Sequence, residues 1–123
     1  MITGGITPNR EATVRLTIFS SGGQQQQIEA MVDTGFNLFL TLPSSLIAAL
    51  GLPFAVPAKA TLADGSIVDL DCYWVTLLWQ GQPRRIVALA ADSSPLIGMS
   101  LLYGSRVTLD VVDGGPVTIE PLP

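Results

Sequence analysis

At 123 residues and 48% hydrophobic, the chain has the length of one domain, 1–123, and enough apolar material to bury a core. It contains no histidine and a single cysteine, Cys72, which excludes Ser-His-Asp and Cys-His nucleophiles, leaves no internal disulfide, and argues against a zinc site. A net charge of -4 with only six basic residues is the wrong balance for neutralising a phosphate backbone, so no nucleic-acid partner is expected.

The opening stretch, "MITGGITPNREATVRL", has no basic segment followed by an apolar one, so no export signal is expected. In "ATVRLTIFS" at 12–20, Val14, Leu16 and Ile18 share one face and Arg15 and Thr17 the other, which predicts a strand; "SSGGQQ" supplies a turn. A second strand, "QQIEAMV", delivers Asp33 at its end. After "DTGFN" a short apolar run, Leu38 to Leu42, leads into "PSSLIAALG". Pro43 suits the first turn of a helix, Ser44 and Ser45 can cap it, and Gly51 fits the left-handed position that ends it. "LIAALGLPFAVPA" at 46–58 is cut by Gly51, Pro53 and Pro57 before the roughly 18 apolar residues a membrane span needs. No membrane partner is expected, and the lone cysteine fits a reducing, cytoplasmic setting.

"PAKATLADGSIVDLDCYWVTLLWQGQPRRIVALAA" predicts a long hairpin turning at Asp64-Gly65 and a tighter one turning at Gln80-Gly81. "PLIGMSLLYG" gives a short helix led by glycine, and "SRVTLDVVDGGPVTIEPLP" closes with two strands around Asp113-Gly114-Gly115. The sum is an all-β domain with one or two short helices. A faint repeat runs through it: strand, apolar pair with a Gly-containing turn, and helix occur around "MVDTG" and "SSLIAAL", then around "IVALAA", "LIG" and "MSLL". Only the first copy carries the acid, although Asp92 falls near the corresponding place.

With histidine absent, carboxylates carry whatever chemistry there is. Lys59 is the only lysine, and no serine forms a recognisable motif with it. No phosphate-cradling glycine loop of either common spacing occurs. Asp33, alone at the end of an apolar run and followed by Thr34 and Gly35, is the residue to explain. As a turn former Asp is ordinary. Asp64 and Asp113 are turn residues first, and Asp69 and Asp71, alternating with Val68, Leu70 and Cys72, mark the solvated face of a strand.

"VDTGFNLFLTLP", followed about sixty residues later by "PLIGMSLL", resembles the retroviral-type aspartic proteases and their small bacterial relatives, over most of the chain from Val14 to Ile119. The resemblance implies a retropepsin-like acid protease barrel that is homodimeric, because the single Asp-Thr-Gly supplies one aspartate and hydrolysis needs two. It implies a peptide bond hydrolysed by a water activated between two Asp33 carboxylates, one per subunit, with no metal and no cofactor. It assigns catalytic positions to Asp33, Thr34 and Gly35, a substrate-covering flap to Ala63, Asp64, Gly65 and Ser66, and structural support to Leu96, Ile97 and Gly98. The partners implied are a second copy and an extended polypeptide substrate.

In viral members the termini interleave into a dimer sheet; Pro121 and Pro123 limit such pairing here. Viral members also place Ser or Ala after Asp-Thr-Gly, where this chain has Phe36, which either lines the substrate pocket or packs. The competing expectations are the same fold used as a catalytically weak dimerisation or peptide-binding module, and a two-carboxylate glycosidase, for which no second acid sits in a comparable loop.

Overall fold

The computed structural model describes residues 1–61 and 64–123. In chain order the described elements are β1 (Ile2–Ile6), β2 (Ala12–Phe19), β3 (Gln25–Val32), β4 (Leu40–Leu42), α1 (Ser44–Leu50), β5 (Phe54–Thr61), β6 (Ile67–Trp79), β7 (Gln82–Ala90), β8 (Leu96–Ile97), α2 (Met99–Leu102), β9 (Ser105–Leu109) and β10 (Pro116–Pro121). The chain is mostly β, and its strands join one sheet in the order β5-β6-β7-β4-β8-β3-β2-β1-β10-β9. A further pairing, Ile18 with Leu77 and Phe19 with Thr76, links β2 back to β6 and closes six of the strands into a ring.

Alternation dictates which side chains enter that ring. Val14, Leu16 and Ile18 of β2 are 2%, 1% and 0% exposed, and Val75, Leu77 and Trp79 of β6 meet them in the same core. Each fully buried Leu or Ile contributes roughly 1.5–3 kcal/mol of transfer free energy, so this stripe, with Leu40, Leu42 and Ile97, is what holds the sheet closed.

Most connections are hairpins. β6 turns into β7 through Gln80 (φ 53°) and Gly81 (φ 78°), the paired left-handed conformation of a tight two-residue turn. Two contacts are parallel instead: β3 pairs with β8, and β4 with β7, while Leu40 of β4 faces Ile97 of β8 antiparallel. The repeat seen in the sequence is therefore a structural exchange. The long strand of each copy pairs with the short strand of the other.

The helices follow expectation in place and differ in their caps. Pro43 itself is the N-cap of α1, and neither Ser44 nor Ser45 caps it, since both lie inside the helix and no side chain bonds its first amides. The chain leaves α1 at Gly51, whose φ of 64° is the left-handed conformation that lets its amide reach back to Ala48 and Ile47. β1, which the glycine-rich opening stretch did not announce, is a strand because β2 and β10 flank it on both sides. No helix among the described residues is long and apolar enough to cross a membrane.

Candidate active site

Asp33 is the first residue beyond β3, and its backbone is pinned twice. Its amide donates to the Ile97 carbonyl at 2.9 Å, extending the parallel β3–β8 pairing by one step, and its carbonyl accepts from the Phe36 amide at 3.2 Å, closing a turn over 33–36. Its side chain is held by the same turn, because the Gly35 amide donates to Oδ1 at 2.9 Å. Asp33 is half-buried, whereas Thr34 and Gly35 are exposed. An ordinary turn-forming aspartate makes hydrogen bonds of this kind too. What sets Asp33 apart is the structure underneath it.

That support comes from residues about sixty positions later. Met99 donates to the Phe36 carbonyl at 2.8 Å and Gly98 to the Phe39 carbonyl at 3.0 Å, while the Ser100 hydroxyl bonds the Asn37 carbonyl. Gly98 is buried, and a Cβ there would overlap the Leu38 carbonyl oxygen and lie 2.6 Å from Cδ2 of Phe36. Only glycine lets the loop sit so close to the start of α2. Phe36 is half-buried and lies directly over Gly98, so it packs. Gly35 is a milder case: a Cβ would stand 3.3 Å from Oδ1 of Asp33, crowding the carboxylate that its amide binds.

One supporting residue belongs to no motif. Thr41, 4% exposed in the apolar run of β4, accepts a hydrogen bond from the Leu96 amide at 2.9 Å and so fixes the start of β8. A lone hydroxyl between Leu40 and Leu42 was the available clue.

The Asp33, Thr34, Gly35 group and the Leu96, Ile97, Gly98 group are therefore brought together, while Asp64, Gly65 and Ser66 belong to a separate hairpin. Ala63 lies outside the described residues. Asp64, Gly65 and Ser66 form the exposed turn between β5 and β6, where Oδ1 of Asp64 accepts from the Ser66 hydroxyl at 2.6 Å and the Ser66 amide at 2.9 Å. Those bonds, the hydroxyl first, hold the Asp64 carboxyl below its ordinary range. Asp92 is exposed beyond β7, and Asp69 and Asp71 are exposed on β6, as their alternation predicted. Cys72, buried on the same strand, has its thiol pushed up by burial and then by the neighbouring Asp71 carboxylate, so it stays protonated and inert.

Chemically, the loop presents a carboxylate with one oxygen engaged by a backbone amide and the other without a protein hydrogen bond among the described residues. No ion pair involves it; the ion pair among the described residues is Lys59 with Asp69, on the surface of β5 and β6. No three His, Cys, Asp or Glu among the described residues gather as metal ligands. Such an oxygen can take a proton from water but cannot also protonate the carbonyl that the water attacks. Compared with protein-family models and with curated proteins, the chain has no match.

Proposed function

We propose that the chain is a retropepsin-like aspartic endopeptidase, working as a homodimer in which a water lies between two Asp33 carboxylates, one from each subunit. The observation that carries this reading is the Asp33 loop itself: an acid at a strand end, its Oδ1 held by the Gly35 amide and its backbone braced by Ile97 and Gly98.

The need for two copies is chemical. Attack on an amide requires one group to remove the water's proton and another to protonate or hydrogen-bond the carbonyl oxygen. Two carboxylates in contact cannot both ionise, so one shared proton gives the pair an acid and a base at once. In the first step the ionised Asp33 takes a proton from water as the C–O bond forms, and the protonated one donates to the carbonyl oxygen. Collapse of the tetrahedral adduct breaks the C–N bond as a proton passes to the leaving nitrogen. Thr34, exposed beside Asp33 in the single chain, is assigned to the contact between the two loops.

The ring of strands closed by the β2–β6 pairing supports a retropepsin-like barrel, and the exposed Asp64–Gly65–Ser66 turn supports a flap. A peptide lying extended under that turn would add to it as a strand.

The test is cleavage of a denatured-protein peptide pool between pH 4 and 7 by the native chain and by Asp33→Asn, with products read by mass. Cleavage is expected from the native chain alone, with a specific rate that rises with protein concentration. Two folded, dimeric proteins that both leave the pool intact would replace the enzyme with a peptide-binding module of the same architecture.

A further inference from the structure

β9 is the last strand of the sheet order, so one of its edges has no strand partner among the described residues. The ladder on its other side fixes what that edge presents. Asp110 donates to the Pro116 carbonyl at 3.1 Å and Leu122 to the Gly104 carbonyl at 2.9 Å, so even-numbered positions exchange hydrogen bonds with β10. Strand alternation then turns the amides and carbonyls of Ser105, Val107 and Leu109 outward. A row of unpaired groups of this kind is a template for another strand.

Its surroundings point to a buried destination. Ser105 and Val107 line, together with Thr34 and Tyr103, a cleft of about 380 Å³, so the open edge borders the loop that carries Asp33. Tyr103 (88% exposed), Leu109 (39%) and Val111 (67%) leave apolar surface along the same stretch.

We infer that the occupant of this edge is β9 of a second copy, running antiparallel about a two-fold axis that passes between the two Thr108 residues. This rests on the dimeric reading above and names the surface that makes the dimer. A strand that pairs with itself has few registers, and charge chooses among them. Centred on Thr108, the register sets Val107 against the partner's Leu109 as a hydrogen-bonded pair, and Arg106 against the partner's Asp110, twice by symmetry. Centred on Val107 it sets Arg106 against Thr108 and leaves both charges unmatched; centred on Arg106 it opposes two like charges. On its own chain Arg106 stands across from Glu120 of β10, so the Thr108 register places its guanidinium between two carboxylates. The interface is thus built from an internal hairpin strand, and Pro121, which pairs with Ser105 inside the chain, is no obstacle to it.

The test is cross-linking. In an antiparallel pair without mutual hydrogen bonds the facing Cα atoms lie about 4.5 Å apart, within disulfide range. Thr108→Cys should therefore give a covalent dimer under mild oxidant. Thr118→Cys, one strand further in, should not, and neither should the native chain, whose one thiol is buried. Arg106→Asp should weaken self-association measured by sedimentation about tenfold, and adding Asp110→Arg should restore it. A sedimenting dimer that Thr108→Cys fails to lock, or equal cross-linking by both cysteine variants, overturns the β9 pairing and leaves the dimeric reading standing. A monomer at every concentration overturns both.

Discussion

Asp33 and Ala91 make the same hydrogen bond from opposite halves of the chain: Asp33 donates its amide to Ile97 at 2.9 Å, and Ala91 donates its amide to Leu42 at 3.0 Å. Each is the residue just past a long strand that runs parallel to the short strand of the other half. The place equivalent to Asp33 thus holds a methyl group, and Asp92 is one residue beyond it. If two aspartates are needed, they must come from two chains. Native protein mixed with an equal amount of Asp33→Asn is therefore expected to retain roughly a quarter of its activity per total dimer, because only native pairs carry both acids. Titrating the ratio and finding a linear rather than a quadratic decline would show that one Asp33 suffices.

The Thr41 hydroxyl accepts the Leu96 backbone amide at 2.9 Å, across 55 positions of chain. Thr41→Val keeps the shape and takes the acceptor away from the half-buried Leu96 N–H, which should cost about 1–3 kcal/mol by denaturant unfolding. Thr41→Ser, which keeps the oxygen, should lose distinctly less, and equal losses from the two would assign the effect to packing.

Gly98→Ala forces a methyl group onto the Leu38 carbonyl and toward the ring of Phe36. Because the carbonyl is backbone and cannot swing aside, the loop has to move, at a cost of about 3 kcal/mol and a fall in Tm of about 10 °C. A Gly35→Ala variant, where the close atom is one carboxylate oxygen at 3.3 Å, should melt much nearer to the native protein. Thermal unfolding of the pair gives the comparison.

At the β5–β6 turn the pH dependence has a definite sign. Hydrogen bonds from Ser66 favour the ionised Asp64 carboxyl and depress its pKa below the ordinary 3.8, so the turn keeps their contribution above that value and loses it as pH falls through the depressed one. An acid titration followed at the Ser66 amide by NMR should show a single step with its midpoint below 3.8. Ser66→Ala, lacking the hydroxyl that acts most strongly, should raise that midpoint; an unmoved midpoint would deny the hydroxyl its role.

Much of this architecture was legible wherever a local rule met a buried surface. The two-residue period of Val14, Leu16 and Ile18 named the inward face of β2, and Gln80-Gly81 and Gly51 marked chain reversals because few residues accept a positive φ. Asp33 stood out as an acid closing an apolar run, and Leu96-Ile97-Gly98 was found through the resemblance. What stayed hidden was set by distant neighbours. "ITGGI" has neither alternation nor β-branched density throughout, and becomes a strand because β2 and β10 lie alongside it. Thr41 acquires its role from Leu96, 55 positions away, which no local pattern encodes. Ser44 and Ser45 looked like caps by type, but Pro43 takes the N-cap place and both serines fall inside the helix.

The parallel pairing of β3 with β8 also sets an order of events. Met31 and Val32 cannot meet Leu96 and Ile97 until the long β5–β6–β7 excursion between them has been drawn in, nor can β1 meet β10 until nearly the whole chain is compact. Loop-closure entropy is spent on such contacts before they return stability, so folding of this topology belongs to a slow regime, on the order of milliseconds to seconds. The loop bearing Asp33 takes its shape only after Ile97 and Gly98 have docked beneath it. A chain interrupted before those two residues carries Asp33 without the bracing that shapes its loop.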